Sequence, residues 1–115
     1  MGREDFRERA VIVTGASSGI GRALALRLAG EGAWLALAAR DAQRLDSLAV
    51  ECEQRGGRAA AMPTDVRDED QCRRLIERTK DAYGHIDVVV NNAGMTVVAK
   101  LEELPDLDLS GKSWT

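Results

Sequence analysis

Three short segments carry residue types and spacings that could do chemistry. Thr14-Gly15-Ala16-Ser17-Ser18-Gly19-Ile20-Gly21 sets three glycines where an apolar run gives way to a helical pattern. In that setting Gly15 permits a tight turn, Gly19 lets backbone approach a pyrophosphate, and Gly21 lets the helix pack close to the strand. The helix N-terminus then turns unpaired N–H groups and partial positive charge towards phosphate. The glycine pattern alone is weak evidence, but here it follows a strand and opens a helix, which is the required context for a dinucleotide site. The second segment is Ala38-Ala39-Arg40. An acid about 20 positions beyond the glycines would hold a ribose 2′-hydroxyl. This sequence offers Arg40 instead, a planar charged fork suited to a 2′-phosphate, so NADP is expected over NAD. Asp41 follows and reads as a helix cap. The third segment, Asn91-Asn92-Ala93-Gly94, closes another apolar run.

These segments need strands and helices to hold them. Val11-Ile12-Val13 reads as a buried strand. A helix is expected from about Gly19 to Glu31, with Ile20, Ala23, Leu24 and Leu28 as its apolar face and Gly32 as a left-handed stop. Ala33 to Ala39 is a continuous apolar run, as in a strand covered on both faces. Asp41 can cap the next helix, with Leu45, Leu48, Ala49 and Cys52 inward. Arg58 to Met62 is a weaker strand, closed by Pro63. Asp68 and Gln71 form a capping-box pattern for a helix burying Cys72, Leu75, Ile76, Thr79, Ala82 and Tyr83. Gly84 stops it, and Ile86 to Val90 is a fourth strand. Met95 to Thr115 has weak periodicity, broken by Pro105 and Gly111. The order βαβαβαβ predicts a parallel sheet with right-handed crossovers, an α/β fold.

Composition narrows the classes. The chain has 115 residues, enough for about one domain. It carries two Trp, one Tyr and one Phe, so its core must be assembled largely from small aliphatic side chains. The longest apolar run, Ala33 to Ala39, is far shorter than a membrane span, and the charged N-terminus has no signal-peptide core. Cys52 and Cys72 are too few for a disulfide scaffold and lack metal-ligand spacing. They sit on apolar helix faces and read as buried thiols, while His85 reads as a connector residue. The net charge of −3 favours neither nucleic acid nor an anionic membrane as partner. The acidic run Asp68-Glu69-Asp70 suits a helix N-terminus through the dipole, so no metal is expected. A cytoplasmic location is the default.

Thr14 to Gly21, together with Asn91-Asn92-Ala93-Gly94 about 70 residues on and Asp65-Val66 after the third strand, resembles the short-chain dehydrogenase/reductase family. The resemblance covers roughly residues 8–109. It implies a Rossmann-type doubly wound parallel sheet with local strand order 3-2-1-4. It also implies cofactor contacts by Gly15, Ser17, Ser18, Gly19, Ile20, Gly21, Arg40, Asp65, Val66, Asn92, Ala93 and Gly94. In the family Asp65-Val66 would hold the adenine, and the Asn-Asn-Ala-Gly turn also braces the sheet.

The resemblance further implies hydride transfer between a nicotinamide and a carbonyl or alcohol, using an Asn, a Ser and a Tyr-x-x-x-Lys pair. This chain has none of that set. Its one tyrosine is Tyr83, with Asp87 four residues later, and no Asn follows Asn92. Ser110 and Ser113 have no base beside them. Family members are about twice as long, so the chain reads as a truncated Rossmann domain. Its core would be about 8–94 with a divergent tail at 95–115, and the family's oligomer interface would be absent. Two readings stay open. One is the cofactor-binding half of an NADP(H)-dependent oxidoreductase, itself not catalytic. The other is a non-catalytic dinucleotide-binding or protein-interaction module, or the product of a truncated gene. In the order 3-2-1-4 the fourth strand is expected to present an open apolar edge that recruits other chains.

Overall fold

β-branched and small apolar runs become strands here, and the capped amphipathic stretches between them become helices. In the computed structural model, which describes residues 6–17, 19–92 and 96–99, the elements are β1 (Ala10–Thr14), α1 (Gly19–Gly30), β2 (Trp34–Ala39), α2 (Ala42–Gln54), β3 (Arg58–Pro63), α3 (Glu69–Tyr83), β4 (Val88–Asn91) and β5 (Thr96–Ala99). The sheet order is β3-β2-β1-β4-β5. The first four strands are parallel, with Ile12 facing Ala36 on one side and Val89 on the other. This is the expected 3-2-1-4 Rossmann order.

Successive strand residues point to opposite faces, and both faces are covered. Val11, Val13, Leu35 and Leu37 pack with Ala25, Leu28 and Ala29 of α1 and with Leu45, Leu48 and Cys52 of α2. Ile12, Ala36, Ala38 and Val89 pack with Leu75 and Ile76 of α3. Two-sided burial is why β2 reads as an unbroken apolar run. Burying one leucine stabilises by roughly 1.5–3 kcal/mol, whereas a helix cap contributes about 1 kcal/mol. The helices are therefore held by their faces, and the caps set where they begin and end. Asp41 caps α2, its carboxylate accepting the Arg44 N–H, and Gly84 ends α3 in the left-handed conformation.

Four expectations are corrected. Ala82 is exposed, so the inward face of α3 is Cys72, Leu75, Ile76, Thr79 and Tyr83, and the last turn aims Ala82 away from the sheet. The inward face of α1 is Gly21, Ala25, Leu28 and Ala29, joined by Leu26, while Ile20 stays 61% exposed and Ala23 is exposed. Small residues win that face because the helix lies close to the strand it leaves, with no room for Ile20. The fourth strand begins at Val88, not Ile86. The Asp87 carboxylate takes the Ala10 N–H at 2.9 Å, so a side chain makes a link that the strand ladder would otherwise make. Finally, β4 is not an open edge. Thr96–Ala99 forms β5, antiparallel to β4 with Val90 opposite Val97. The short β-prone run Thr-Val-Val-Ala was hidden inside a stretch that reads as aperiodic. Residues 100–115 of the tail lie outside the described residues.

Candidate functional site

The C-terminal ends of β1, β2, β3 and β4 come together on one side of the sheet, where α1 and α3 depart to opposite faces. Ligands of such sheets bind where the strand order reverses. The β1–α1 turn sits at that point, and the fold grips it from across the reversal. The Asn92 N–H donates to the Thr14 hydroxyl oxygen at 3.1 Å, and Asn92 Nδ2 donates to the Gly15 carbonyl at 3.3 Å. The buried Thr14 hydroxyl lies 3.3 Å from the Val90 carbonyl and 3.2 Å from Asn91 Oδ1. Thr14 was not singled out in the sequence; a hydroxyl ending a β-branched run just before the glycine turn was the available signal.

Two glycines in this turn are required for different reasons. Gly19 has φ +54°, and a Cβ built there meets nothing within 4 Å. A side chain would have space, but not the backbone conformation. Gly21 is buried against the turn itself. A Cβ there would stand 2.3 Å from the Gly15 carbonyl oxygen, so only hydrogen fits.

Gly15, Ser17, Arg40, Asp65 and Val66, all singled out in the sequence, line one cleft of about 490 Å³ together with Ala39, Asp41, Thr64 and Arg67. Gly19 and Ile20 are exposed at the start of α1, while Gly21 and Asn92 shape the turn from behind. Ser18, Ala93 and Gly94 lie outside the described residues.

The charges around the cleft are mostly paired. Arg22 is bonded to Glu51, Arg44 to Asp41 and Arg67 to Asp65. Among the described residues, Arg40 is exposed and makes no ion pair. The Arg67 guanidinium and backbone N–H both bond the Asp65 carboxyl and hold it down at about 2, so it stays an ionised acceptor at neutral pH. The Asp65 N–H is held by Gln71 Oε1 at 2.8 Å, while Gln71 Nε2 donates to Asp68 Oδ2. The expected capping box is thus half met. Asp68 caps α3 through the Asp70 and Gln71 N–H groups, but Gln71 reaches back to Asp65 and so ties the cleft loop to the helix.

Other candidate groups stand away from chemistry. Tyr83 is buried and donates to the Leu35 carbonyl at 2.7 Å, and burial pushes its hydroxyl up to about 12. Leu35 lies near the start of β2, four residues before Ala39, or about 13 Å along the strand from the cleft. Cys52 and Cys72 are free and buried. Burial raises Cys52 to about 11 and raises Cys72 as well, which disfavours the reactive thiolate. His85 lies 2.9 Å from Asp87 Oδ2 at the opposite end of the sheet, where the Asp87 N–H bonds the Ala10 carbonyl. Among the described residues no group of three or more His, Cys, Asp or Glu could hold a metal, and no helix is long and apolar enough to cross a membrane.

Comparison with known proteins agrees with this architecture. The sequence profile of the family described as short chain dehydrogenase matches residues 9–111. A 3beta-hydroxysteroid dehydrogenase of Mediterraneibacter gnavus is 42% identical over 109 residues, which cover 94% of this chain and 39% of the relative. The 11-beta-hydroxysteroid dehydrogenase A of Sesamum indicum is 39% identical over 105 residues, covering 90% of this chain and 30% of the relative. Among solved structures, a metagenomic short-chain oxidoreductase in complex with NADP matches with a TM-score of 0.72 and 36% identity, over 76% of this chain and 39% of that one. The chain thus spans less than half the length of the relatives it matches.

Proposed function

The chain belongs to the short chain dehydrogenase family, and from that premise we propose that its cleft binds NADP(H) as the cofactor-binding half of an oxidoreductase. The observation that carries the choice of nucleotide is Arg40, exposed at the cleft and unpaired among the described residues, with Ala39 where an acid would favour NAD. The fit of the remaining site supports it. Gly19 leaves open space beside the N-terminus of α1, where the pyrophosphate would approach backbone N–H groups. Asp65 and Val66 supply a fixed acceptor and an apolar contact for the adenine. Asn92 holds the turn from behind. Ser18, Ala93 and Gly94 complete the proposed contacts.

Bound NADP(H) supplies or accepts a hydride at its nicotinamide, in exchange with a carbonyl or alcohol. The residues of this chain bind and orient the adenosine-phosphate side of the cofactor. Among the described residues Tyr83 is no proton donor for that exchange, because its hydroxyl is spent on the Leu35 carbonyl at the far end of β2. In this reading the 115 residues bind the nucleotide without turnover, and a cytoplasmic location goes with it.

Calorimetric titration with NADPH and NADH tests the reading. Arg40→Ala is expected to weaken NADPH by about 1.5–3 kcal/mol, the scale of a hydrogen bond to a charged group, and to leave NADH nearly unchanged. Equal loss for both nucleotides would show that Arg40 does not read the 2′-phosphate.

A further inference from the structure

An acidic side chain does stand beside Arg40, and the structure shows what neutralises it. Asp41 lines the cleft next to Arg40. A carboxylate there favours a 2′-hydroxyl and opposes a 2′-phosphate; the other carboxylate of the cleft, Asp65, is already held by Arg67. Both oxygens of Asp41 are engaged by a single residue. Oδ1 accepts the Arg44 N–H at 3.1 Å, and Oδ2 pairs with Arg44 Nε at 3.5 Å. The first contact is the cap of α2, which any residue at position 44 would make through its backbone. The second depends on the arginine side chain. Arg44 itself faces the adjoining groove between α1 and α2, which meets the cleft at Ser17.

We propose that Arg44 is a positioning residue for nucleotide choice: its side chain offsets the charge of the capped Asp41 carboxylate and holds its second oxygen, so that Arg40 presents a net positive edge to a 2′-phosphate. The inference rests on the NADP(H) reading of the cleft and adds to it. Selectivity on this account comes from two arginines, one facing the phosphate and one disarming the neighbouring acid. Without the Arg44 side chain, Asp41 would bring an uncancelled negative charge beside the phosphate and a free acceptor beside a ribose hydroxyl.

The test is a set of NADPH and NADH titrations at low salt on Arg44→Gln, Arg44→Lys, Asp41→Asn and the double variant Asp41→Asn/Arg44→Gln. Asparagine caps a helix about as well as aspartate, so the double variant keeps α2 in place. Arg44→Gln is expected to weaken NADPH about two- to fivefold, the range of an exposed, partly screened charge pair, and to leave NADH unchanged or slightly tighter. Arg44→Lys should recover most of the loss, and the double variant should regain wild-type NADPH affinity. A merely structural role would lower both nucleotides together and leave their ratio fixed. Direct contact between Arg44 and the phosphate would leave the double variant as weak as Arg44→Gln. Either result overturns the proposal while leaving the reading of Arg40 standing. Failure of the wild-type chain to bind either nucleotide would overturn both.

Discussion

Gly21→Ala adds one methyl group at the tightest point of the molecule. The new Cβ would lie 2.3 Å from the Gly15 carbonyl oxygen, 3.0 Å from the Gly15 carbonyl carbon and 3.1 Å from Asn92 Nδ2. The first two neighbours are backbone, so relief requires the turn or the helix to move by about an ångström. Overpacking of this kind costs about 1–3 kcal/mol. Moving the Gly15 carbonyl also endangers its 3.3 Å bond from Asn92, a further 0.5–1.5 kcal/mol or so. Against this, alanine gains about 0.5–1 kcal/mol over glycine inside a helix. The balance is a loss of about 2–3 kcal/mol, a large share of the few kcal/mol available to a chain of this size. Urea unfolding followed by circular dichroism should show the midpoint falling by about 1 M. Gly30→Ala is the control: the same substitution in the same helix, with nothing within 4 Å of the new Cβ, should gain up to about 1 kcal/mol. If the two variants are equally stable, the close approach of α1 to the turn is not what demands glycine at position 21.

Gly19→Val should damage binding more than folding, because its side chain would fill the open space at the start of α1 that the pyrophosphate would approach, whereas the strain of a β-branched residue at φ +54° costs about 1–3 kcal/mol; loss of the whole circular dichroism signal would show that backbone strain is the larger effect. Tyr83→Phe removes the donor to the Leu35 carbonyl and should cost about 1 kcal/mol. Tyr83 also sets an alkaline limit. Its hydroxyl is held neutral in the fold up to about 12 against an ordinary value near 10, so its contribution is whole below pH 10 and disappears between pH 10 and 12. Cys52, raised to about 11 from near 9, adds a similar decline from pH 9 to 11 that Tyr83→Phe retains. The wild type and the variant should therefore diverge in urea stability below pH 10 and converge by pH 12. A constant gap across that range would detach the effect from Tyr83 ionisation. With β5 on the outer edge of β4, light scattering is expected to improve little when a charge is added to β4's sequence neighbours; a marked fall in association would restore the open-edge argument.

Much of this fold was legible because its signals are local. Strand β2 announces itself as an apolar run, α2 by Asp41 and the spacing of Leu45, Leu48 and Cys52, and α3 by Asp68 and Gly84. The misreadings came where tertiary packing overrode local preference. Ile20 is apolar and well spaced for an inward face, yet Gly21, Ala25 and Ala29 take it because the helix must lie close to β1. β5 was missed because four residues carry almost no periodicity, and only the partner β4 makes them a strand. In the site, glycines and Arg40 were readable from position alone. The resemblance already implies a bracing Asn-Asn-Ala-Gly turn, but the grip of Thr14 and Asn92 on each other depends on β4 docking beside β1. The contacts of Gln71 and Arg44 are local, and what hid them is that a long polar side chain has several partners within reach.

That distinction bears on how the site acquires its shape. The glycine turn belongs to the first crossover, yet the groups that fix it come from β4. Thr14 and Asn92 are 78 residues apart, and Gly15 and Asn92 are 77 apart. Loop-closure entropy must be overcome before such contacts contribute. The turn therefore reaches its binding shape only once β4 has docked on β1, although every residue facing the cleft from β1, β2 and β3 precedes it in sequence. A nucleotide that binds the finished turn and not the open chain must then stabilise β4 docking by RT ln(1 + [L]/Kd), about 2.7 kcal/mol at a hundredfold excess over Kd. Asn92 is consequently the residue through which cofactor affinity and the stability of the β1–β4 pair are linked, and Asn92→Ala should lower both even though its side chain reaches the Gly15 carbonyl from behind the cleft.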